Sequence, residues 1–310
     1  MRKLSVVIPV YRGERTIAPL VTEVLEKLVA YDPEIVLVND GSPDGSEAVC
    51  EELAHKYASV KFISLRRNFG ENNAVMCGLN FVEAEYAAVI DDDFQNPPSE
   101  IVKLLDEAEK GYDVVYSKYR VKHHHWFRNF GSRLHNYMAT FLLNKPPNLY
   151  LSSFRLIRND VIQEIIKYRG PFPYIDGLIL RVTNNFSSVY VEHAGREDGK
   201  STYTFSKLVG VWLNMFLNFS IKPLRVFTFS GFVIFVLGLL MSVYFVVEKL
   251  LNPAEQMGWT SLMVSILTLS GIQLMFVGLM GEYLGKAYLD VNGTPQWVIR
   301  KKVLGGRETP

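Results

Sequence analysis

Tyr86-Ala87-Ala88-Val89-Ile90-Asp91-Asp92-Asp93-Phe94-Gln95 runs from a short apolar stretch straight into three adjacent carboxylates. The apolar half reads as a strand buried on both faces, and the acidic half marks its carboxyl end. Adjacent carboxylates repel one another and make a poor turn unless something cationic occupies the site. At a strand end Asp91 and Asp93 share a side while Asp92 points away. Two hard oxygen donors at that spacing suit Mg²⁺ or Mn²⁺, with positions left open for diphosphate oxygens, and they offer little to zinc.

The same grammar repeats on either side. Strand signals rich in Val and Ile cover Leu4–Val10, Glu34–Val38, Lys61–Leu65 and Asp113–Tyr116. Apolar residues at helical spacing fill Thr16–Ala30, Gly45–Tyr57, Asn72–Ala84 and Ser99–Lys110, with Ser99 as the N-cap of the last. Strand–helix alternation of this kind predicts an α/β domain with a doubly wound, mainly parallel sheet. Ligands of such sheets bind at the carboxyl ends of the strands. Those ends are Pro9, Tyr11 and Glu14 after the first strand, Asn39-Asp40-Gly41-Ser42 after the second, and Arg67-Asn68-Phe69-Gly70 after the third. Asp40 is placed to hydrogen-bond a nucleobase or ribose. The chain has neither G-x-G-x-x-G nor G-x-x-x-x-G-K-[ST], so a nucleoside diphosphate is to be held through a metal rather than by a glycine-rich loop.

Of the 310 residues 48% are hydrophobic and 21% charged, with a formal net charge of +1, which argues against a nucleic-acid binder. Cys50 and Cys77 stand apart with no Cys-x-x-Cys, so neither a disulfide scaffold nor a structural zinc site is expected. The amino-terminal apolar run is too short for a signal peptide, which points to a cytosolic first domain.

The apolar excess lies beyond Lys222. Val226–Val247 and Trp259–Gly281 carry no charged residue, and each is long enough to span a bilayer as a helix. Lys222 and Arg225 precede the first; Lys286, Arg300, Lys301, Lys302 and Arg307 follow the second. By the positive-inside bias both termini are cytosolic at the cell inner membrane. Basic and aromatic residues interleave over 119–145 and 203–222, as in helices lying in the headgroup layer. His123-His124-His125 falls in the first of these; neighbouring helical positions cannot share one metal, so an exposed interfacial cluster is the reading. The layout is a catalytic domain over 1–202, including the 119–145 segment, and an interfacial helix over 203–222. Two transmembrane helices within 223–281 follow, through which the chain could self-associate, and then a cytosolic tail over 282–310.

Ser5-Val6-Val7-Ile8-Pro9-Val10-Tyr11, Asn39-Asp40-Gly41-Ser42 and Asp91-Asp92-Asp93-Phe94-Gln95-Asn96-Pro97-Pro98 resemble the nucleotide-sugar half of family 2 glycosyltransferases. Arg67-Asn68-Phe69-Gly70, Ser153-Phe154-Arg155, Arg196-Glu197-Asp198-Gly199-Lys200-Ser201-Thr202-Tyr203, Pro223-Leu224-Arg225 and Gly281-Glu282-Tyr283-Leu284-Gly285-Lys286 narrow the resemblance to membrane-bound polyprenyl-phosphate glycosyltransferases, relatives of dolichyl-phosphate mannose synthase. It extends over nearly the whole chain. Two departures are visible: Arg12-Gly13-Glu14 stands where the family has Asn-Glu, and Gly199-Lys200-Ser201-Thr202-Tyr203 displaces the usual lysine.

The resemblance implies a GT-A-like domain and inverting, metal-dependent transfer of a sugar from a nucleotide-sugar to a polyprenyl phosphate, with undecaprenyl phosphate the bacterial form. Asp91 and Asp93 would hold Mg²⁺ or Mn²⁺. Pro9, Tyr11, Glu14, Asp40, Arg67, Asp91 and Asp92 would line the nucleotide-sugar. Arg155, Arg196, Lys200 and Ser201 would meet the acceptor phosphate, with Arg196 or Lys200 closing over the charge. Asp176, in Tyr174-Ile175-Asp176-Gly177, would contact sugar or acceptor. A lipid phosphate is already ionised, so the reaction needs charge stabilisation on the leaving diphosphate more than a base. The alternatives are a polysaccharide synthase, for which Gln-x-x-Arg-Trp is missing, a transferase to a diacylglycerol or ceramide hydroxyl, and a non-catalytic membrane adaptor.

Overall fold

The computed structural model describes residues 3–119, 140, 146, 149–192, 222–251 and 258–309. The interfacial segments expected over 119–145 and 203–222, together with His123-His124-His125, Arg196, Lys200 and Ser201, lie outside the described residues, Tyr119 and the isolated Thr140 and Lys222 aside.

All seven residues of β1 (Leu4–Val10) are buried, as a central strand covered on both faces requires. Its side chains part alternately to the two faces. Leu4, Val6, Ile8 and Val10 pack with residues of α1 (Ile17–Lys27), α2 (Ser46–Lys56) and α4 (Ile101–Ala108). Val7 packs on the other face with α3 (Glu71–Leu79), α5 (Asn159–Ile165) and α6 (Ile175–Val182). β2 (Glu34–Asn39) divides in the same way, Ile35 and Leu37 against Val36 and Val38. Cys50 and Cys77 are buried free thiols, one in each cluster.

The remaining strands are β3 (Val60–Leu65), β4 (Tyr86–Val89), β5 (Val114–Tyr119), β6 (Arg155–Arg158), β7 (Phe186–Val191), β8 (Ile299–Leu304) and β9 (Arg307–Thr309). Among the described residues they form one nine-stranded sheet in the order β7-β5-β6-β4-β1-β2-β3-β8-β9. The centre, β4-β1-β2-β3, is parallel. β6 enters antiparallel to both β4 and β5, and β8 lies antiparallel to β3. The sheet is therefore mixed, which corrects the expectation of a mainly parallel one. β6 is four residues with arginine at each end, too short to show a periodicity of its own. Ser99 caps nothing: it sits inside a 3-10 turn, Pro98–Glu100, that leads into α4.

Residues expected to trail as a tail are ordered. A helix, α8 (Trp259–Val291), reaches well beyond Gly281, and β8 and β9 then extend the sheet edge. Lys301 on β8 bonds Glu51 at 2.6 Å and Glu47 at 3.2 Å across to α2.

The chain divides into two compact units, residues 1–203 with 292–310, and residues 204–291. The second contains α7 (Lys222–Leu251, 30 residues) and α8 (33 residues). Counted over the described residues alone, no helix is long and apolar enough to cross a membrane.

Candidate active site

β3, β2, β1 and β4 are neighbours running in one direction, so their carboxyl ends open on one edge. The chain's main polar motifs meet there. The Asp40 N–H donates to Val10 O at 3.0 Å, and the Asp40 carboxylate accepts the Phe69 N–H on Oδ1 at 2.7 Å and the Gly70 N–H on Oδ2 at 2.9 Å. Gly41, at φ +61°, lets the turn after β2 close on the loop after β3: a Cβ there would lie 2.5 Å from the Arg67 carbonyl carbon. Burial pushes the Asp40 carboxyl above its usual range, against the pull of its two N–H donors.

The three aspartates do different things. Asp92 turns to the β1 loop, where its Oδ2 accepts the Tyr11 N–H at 3.2 Å. A side chain at Gly13 would come within 2.5 Å of the same oxygen. Enclosure, and then the charges of Asp93 and Asp91, push Asp92 up to about 7. Asp91 accepts the Ser153 hydroxyl at 2.8 Å, and Asp93 accepts the Gln95 N–H at 3.2 Å. Phe94, at φ 58°, and Arg12, at φ 61°, are non-glycine residues in the left-handed region on the two facing loops. Backbone strain of this kind gathers at ligand sites.

Of the other residues named from sequence, Tyr11 is exposed. Glu14 accepts the Gly45 N–H at 3.2 Å and so ties the β1 loop to α2. Arg67 lies over the Phe69 ring at 4.7 Å. Pro9 is enclosed in β1, in register with Val38 but past the last pairing with β4 at Val7. Its missing N–H therefore leaves no ladder bond unmade. Arg155 and Asp176 are joined. Asp176 Oδ1 accepts Arg155 Nη1 in a short contact and the Tyr116 hydroxyl at 3.0 Å, while Arg155 is only 4% exposed. Arg155, expected at the acceptor phosphate, is thus the buried ion-pair partner of Asp176.

Ser153, Tyr116 and Glu71 carry no role in the sequence reading. Ser153 belongs to a motif already singled out, whereas no local pattern marks Tyr116. Glu71 begins α3 directly after Gly70 and is exposed to solvent on one side; partial enclosure by the site, and then Asp91, raise its carboxyl pKa, with Asp176 and Asp93 adding and Arg155 opposing. Among the described residues no cluster of three or more His, Cys, Asp or Glu side chains could hold a metal ion by itself. The pair Asp91 and Asp93 is a two-donor, all-oxygen set, which fits a hard divalent cation that keeps positions for ligand oxygens.

Residues 5–166 match the family model for glycosyl transferase family 2, and residues 222–287 match that of the GtrB C-terminal hairpin. The chain is 33% identical, over 98% of its own length and 94% of the relative's, to the undecaprenyl-phosphate 4-deoxy-4-formamido-L-arabinose transferase of Proteus mirabilis (strain HI4320). It is 32% identical to the protein of the same name from Enterobacter sp. (strain 638), over 99% and 95% of the two lengths. Among solved structures it resembles glucosyl-3-phosphoglycerate synthase from Mycobacterium tuberculosis in complex with Mn²⁺, uridine diphosphate and glucosyl-3-phosphoglycerate. That likeness has a TM-score of 0.50 and 18% identity, covering 70% of this chain and 77% of the other, and is one of fold.

Proposed function

The chain belongs to glycosyl transferase family 2, and on that footing we propose that it moves a sugar from a nucleotide-sugar to undecaprenyl phosphate at the cytosolic face of the cell membrane, with inversion at the anomeric carbon. The observation that carries this reading is the similarity over almost the full length to transferases named for that acceptor. The strand-end site supports the donor half. Asp40, which holds the Arg67–Gly70 loop, is assigned to base or ribose, and Tyr11 and Arg67 border the same edge.

Asp91 and Asp93 would hold Mg²⁺ or Mn²⁺, whose contribution when bound is to neutralise the charge growing on the leaving diphosphate. Ser153 holds Asp91 in place through its hydroxyl. The acceptor oxygen is anionic before it arrives, so no residue is asked to remove a proton. Arg196 or Lys200, with Ser201, is assigned to the acceptor phosphate, and Asp176, steadied by Arg155 and Tyr116, to a hydroxyl of the sugar.

The membrane part of the reading rests on residues 222–287 and their hairpin match. Phe229, Leu240 and Leu274 are 69%, 62% and 72% exposed, which suits a lipid surround. Both ends of residues 204–291 join the same compact unit, which supports a hairpin that returns to the side it left. The test is transfer by the purified protein in detergent, offered undecaprenyl phosphate and a panel of nucleotide-sugars headed by activated 4-deoxy-4-formamido-L-arabinose. A glycosylated lipid phosphate with release of nucleoside diphosphate is expected. Better use of undecaprenol or diacylglycerol than of the phosphate would overturn the reading.

A further inference from the structure

Two loops carry the site's separate halves. The Arg67–Gly70 loop holds Asp40; the loop through Gly170 and Pro171 leads into Tyr174 and Asp176. Nothing in the sequence ties them together. In the fold they are joined by a third segment, Gln296–Val298, which follows the end of α8 and opens the C-terminal strand. The Arg66 N–H donates to Val298 O at 2.9 Å, so the strap continues the β3–β8 pairing up to the donor loop. Gln296 is 6% exposed and donates its Nε2 to Gly170 O at 2.8 Å. Trp297 and Ile299 pack into the core cluster that holds α3 and α6. From the other side Asn73, in α3, donates to Phe69 O at 2.6 Å and approaches Pro171 O at 3.5 Å.

Among the described residues, Gln296 Oε1 and Asn73 Oδ1 are both buried without a hydrogen-bond partner. An apolar side chain of equal size would fill either place without burying an unpaired carbonyl, so the donated N–H calls for an explanation. We infer that Gln296 is a positioning residue of the transfer reaction: through Gly170 it sets where Asp176 stands relative to the donor loop. Asp176 needs such a fixed approach because Oδ1 carries both of its bonds, to Arg155 and Tyr116, and a shift of the loop would re-aim the remaining oxygen. The inference rests on the proposed transfer only for its activity arm.

The experiment uses full-length protein and Gln296→Met, which keeps length and volume but donates nothing. Lys301→Ala, which removes that residue's own ion pairs to Glu47 and Glu51 and leaves the Arg300–Glu47 pair of the same strand, controls for partial loosening of the strap. Amide hydrogen exchange is followed in peptides covering 172–178 and 67–79, alongside nucleoside diphosphate affinity and turnover. In Gln296→Met, exchange over 172–178 should rise about fivefold and that over 67–79 stay within about twofold. Turnover should fall about tenfold with nucleotide affinity within about twofold. Lys301→Ala should leave all four readings near wild type. Unchanged exchange over 172–178, an equal rise in both peptides, or unchanged turnover despite faster exchange would each overturn the inference. If the wild-type protein glycosylates no lipid phosphate, the proposed function fails while the exchange measurements still decide the link from Gln296 to Asp176.

Discussion

One strand, β2, begins at a buried carboxylate and hands over to another directly after its end, and the two are kept in opposite ways. Glu34, fully buried at the amino end, is met by the Lys61 ammonium at 2.6 Å, the Ser5 hydroxyl at 2.6 Å and the Glu83 N–H at 3.1 Å. Asp40, at the carboxyl end, receives two backbone N–H groups and has no cationic partner among the described residues. A buried charge with its counter-ion is finished structure, and removing one member is strongly unfavourable. Asp40 has no counter-ion among the described residues to neutralise it, burial raises its pKa against the pull of the two amides, and it stands on the edge where Asp91, Asp92 and Asp93 gather. The amino edge of this sheet maintains the fold; the carboxyl edge keeps negative charge ready for ligand.

The division predicts which measurement each substitution moves. Lys61→Met strands Glu34 and should destabilise the protein by about 3 kcal/mol, or roughly 6–12 °C in Tm. Turnover per folded molecule should stay within about twofold. Next comes Asp93→Asn, expected to lower turnover by about 10²-fold with Tm within about 2 °C. Wild-type protein in EDTA should fall to a similar level. Loss of activity in Lys61→Met at full folding, or full activity in EDTA, would erase the distinction between the edges.

Asp40→Asn probes the edge one step further from the reacting bond. An amide offers one acceptor oxygen where the Phe69 and Gly70 N–H groups need two, so the donor loop must shift. KM for the nucleotide-sugar should rise about tenfold, with kcat within about threefold, since binding is lost before chemistry. A kcat effect as large as that of Asp93→Asn would place Asp40 among the reacting groups instead.

The parallel centre and its four polar strand ends were legible because they are local: runs of Val and Ile, each followed at once by its site residues. What stayed hidden was non-local or disguised. Arg155 and Asp176 pair across 21 positions, and no periodicity links them. β8, Ile-Arg-Lys-Lys-Val-Leu, looks like the basic flank of a membrane helix, yet it pairs with β3 and β9 and its Lys301 reaches Glu47 and Glu51 on α2. Strand alternation already set Asp92 apart from Asp91 and Asp93, but its partner on the β1 loop, the Tyr11 amide, and the Ser153 hydroxyl that meets Asp91 are non-local and needed the fold.

The smallest effects should come from two serines that each donate a hydroxyl to a carboxylate, one at either edge. Ser5 is fully buried and donates to Glu34 at 2.6 Å; Ser153 donates to Asp91 at 2.8 Å. Chemically the two bonds are alike, and a count of contacts would rank them equal. Their settings differ. Ser5→Ala removes one of the groups that make Glu34 tolerable inside the protein, so it should lower stability by about 1–2 kcal/mol and leave the metal response of the enzyme untouched. Ser153→Ala removes one of the groups that hold Asp91 in the position in which it would meet a cation. Lost support of a ligating carboxylate weakens metal affinity by about tenfold or more, so the Mg²⁺ or Mn²⁺ concentration for half-maximal turnover should rise by about that factor. At saturating metal, turnover should return to within about threefold of wild type, and Tm should stay within about 2 °C. A metal response that moves in Ser5→Ala, or a Tm that falls further in Ser153→Ala than in Ser5→Ala, would show that the two edges of β2 are not divided between stability and ligand binding.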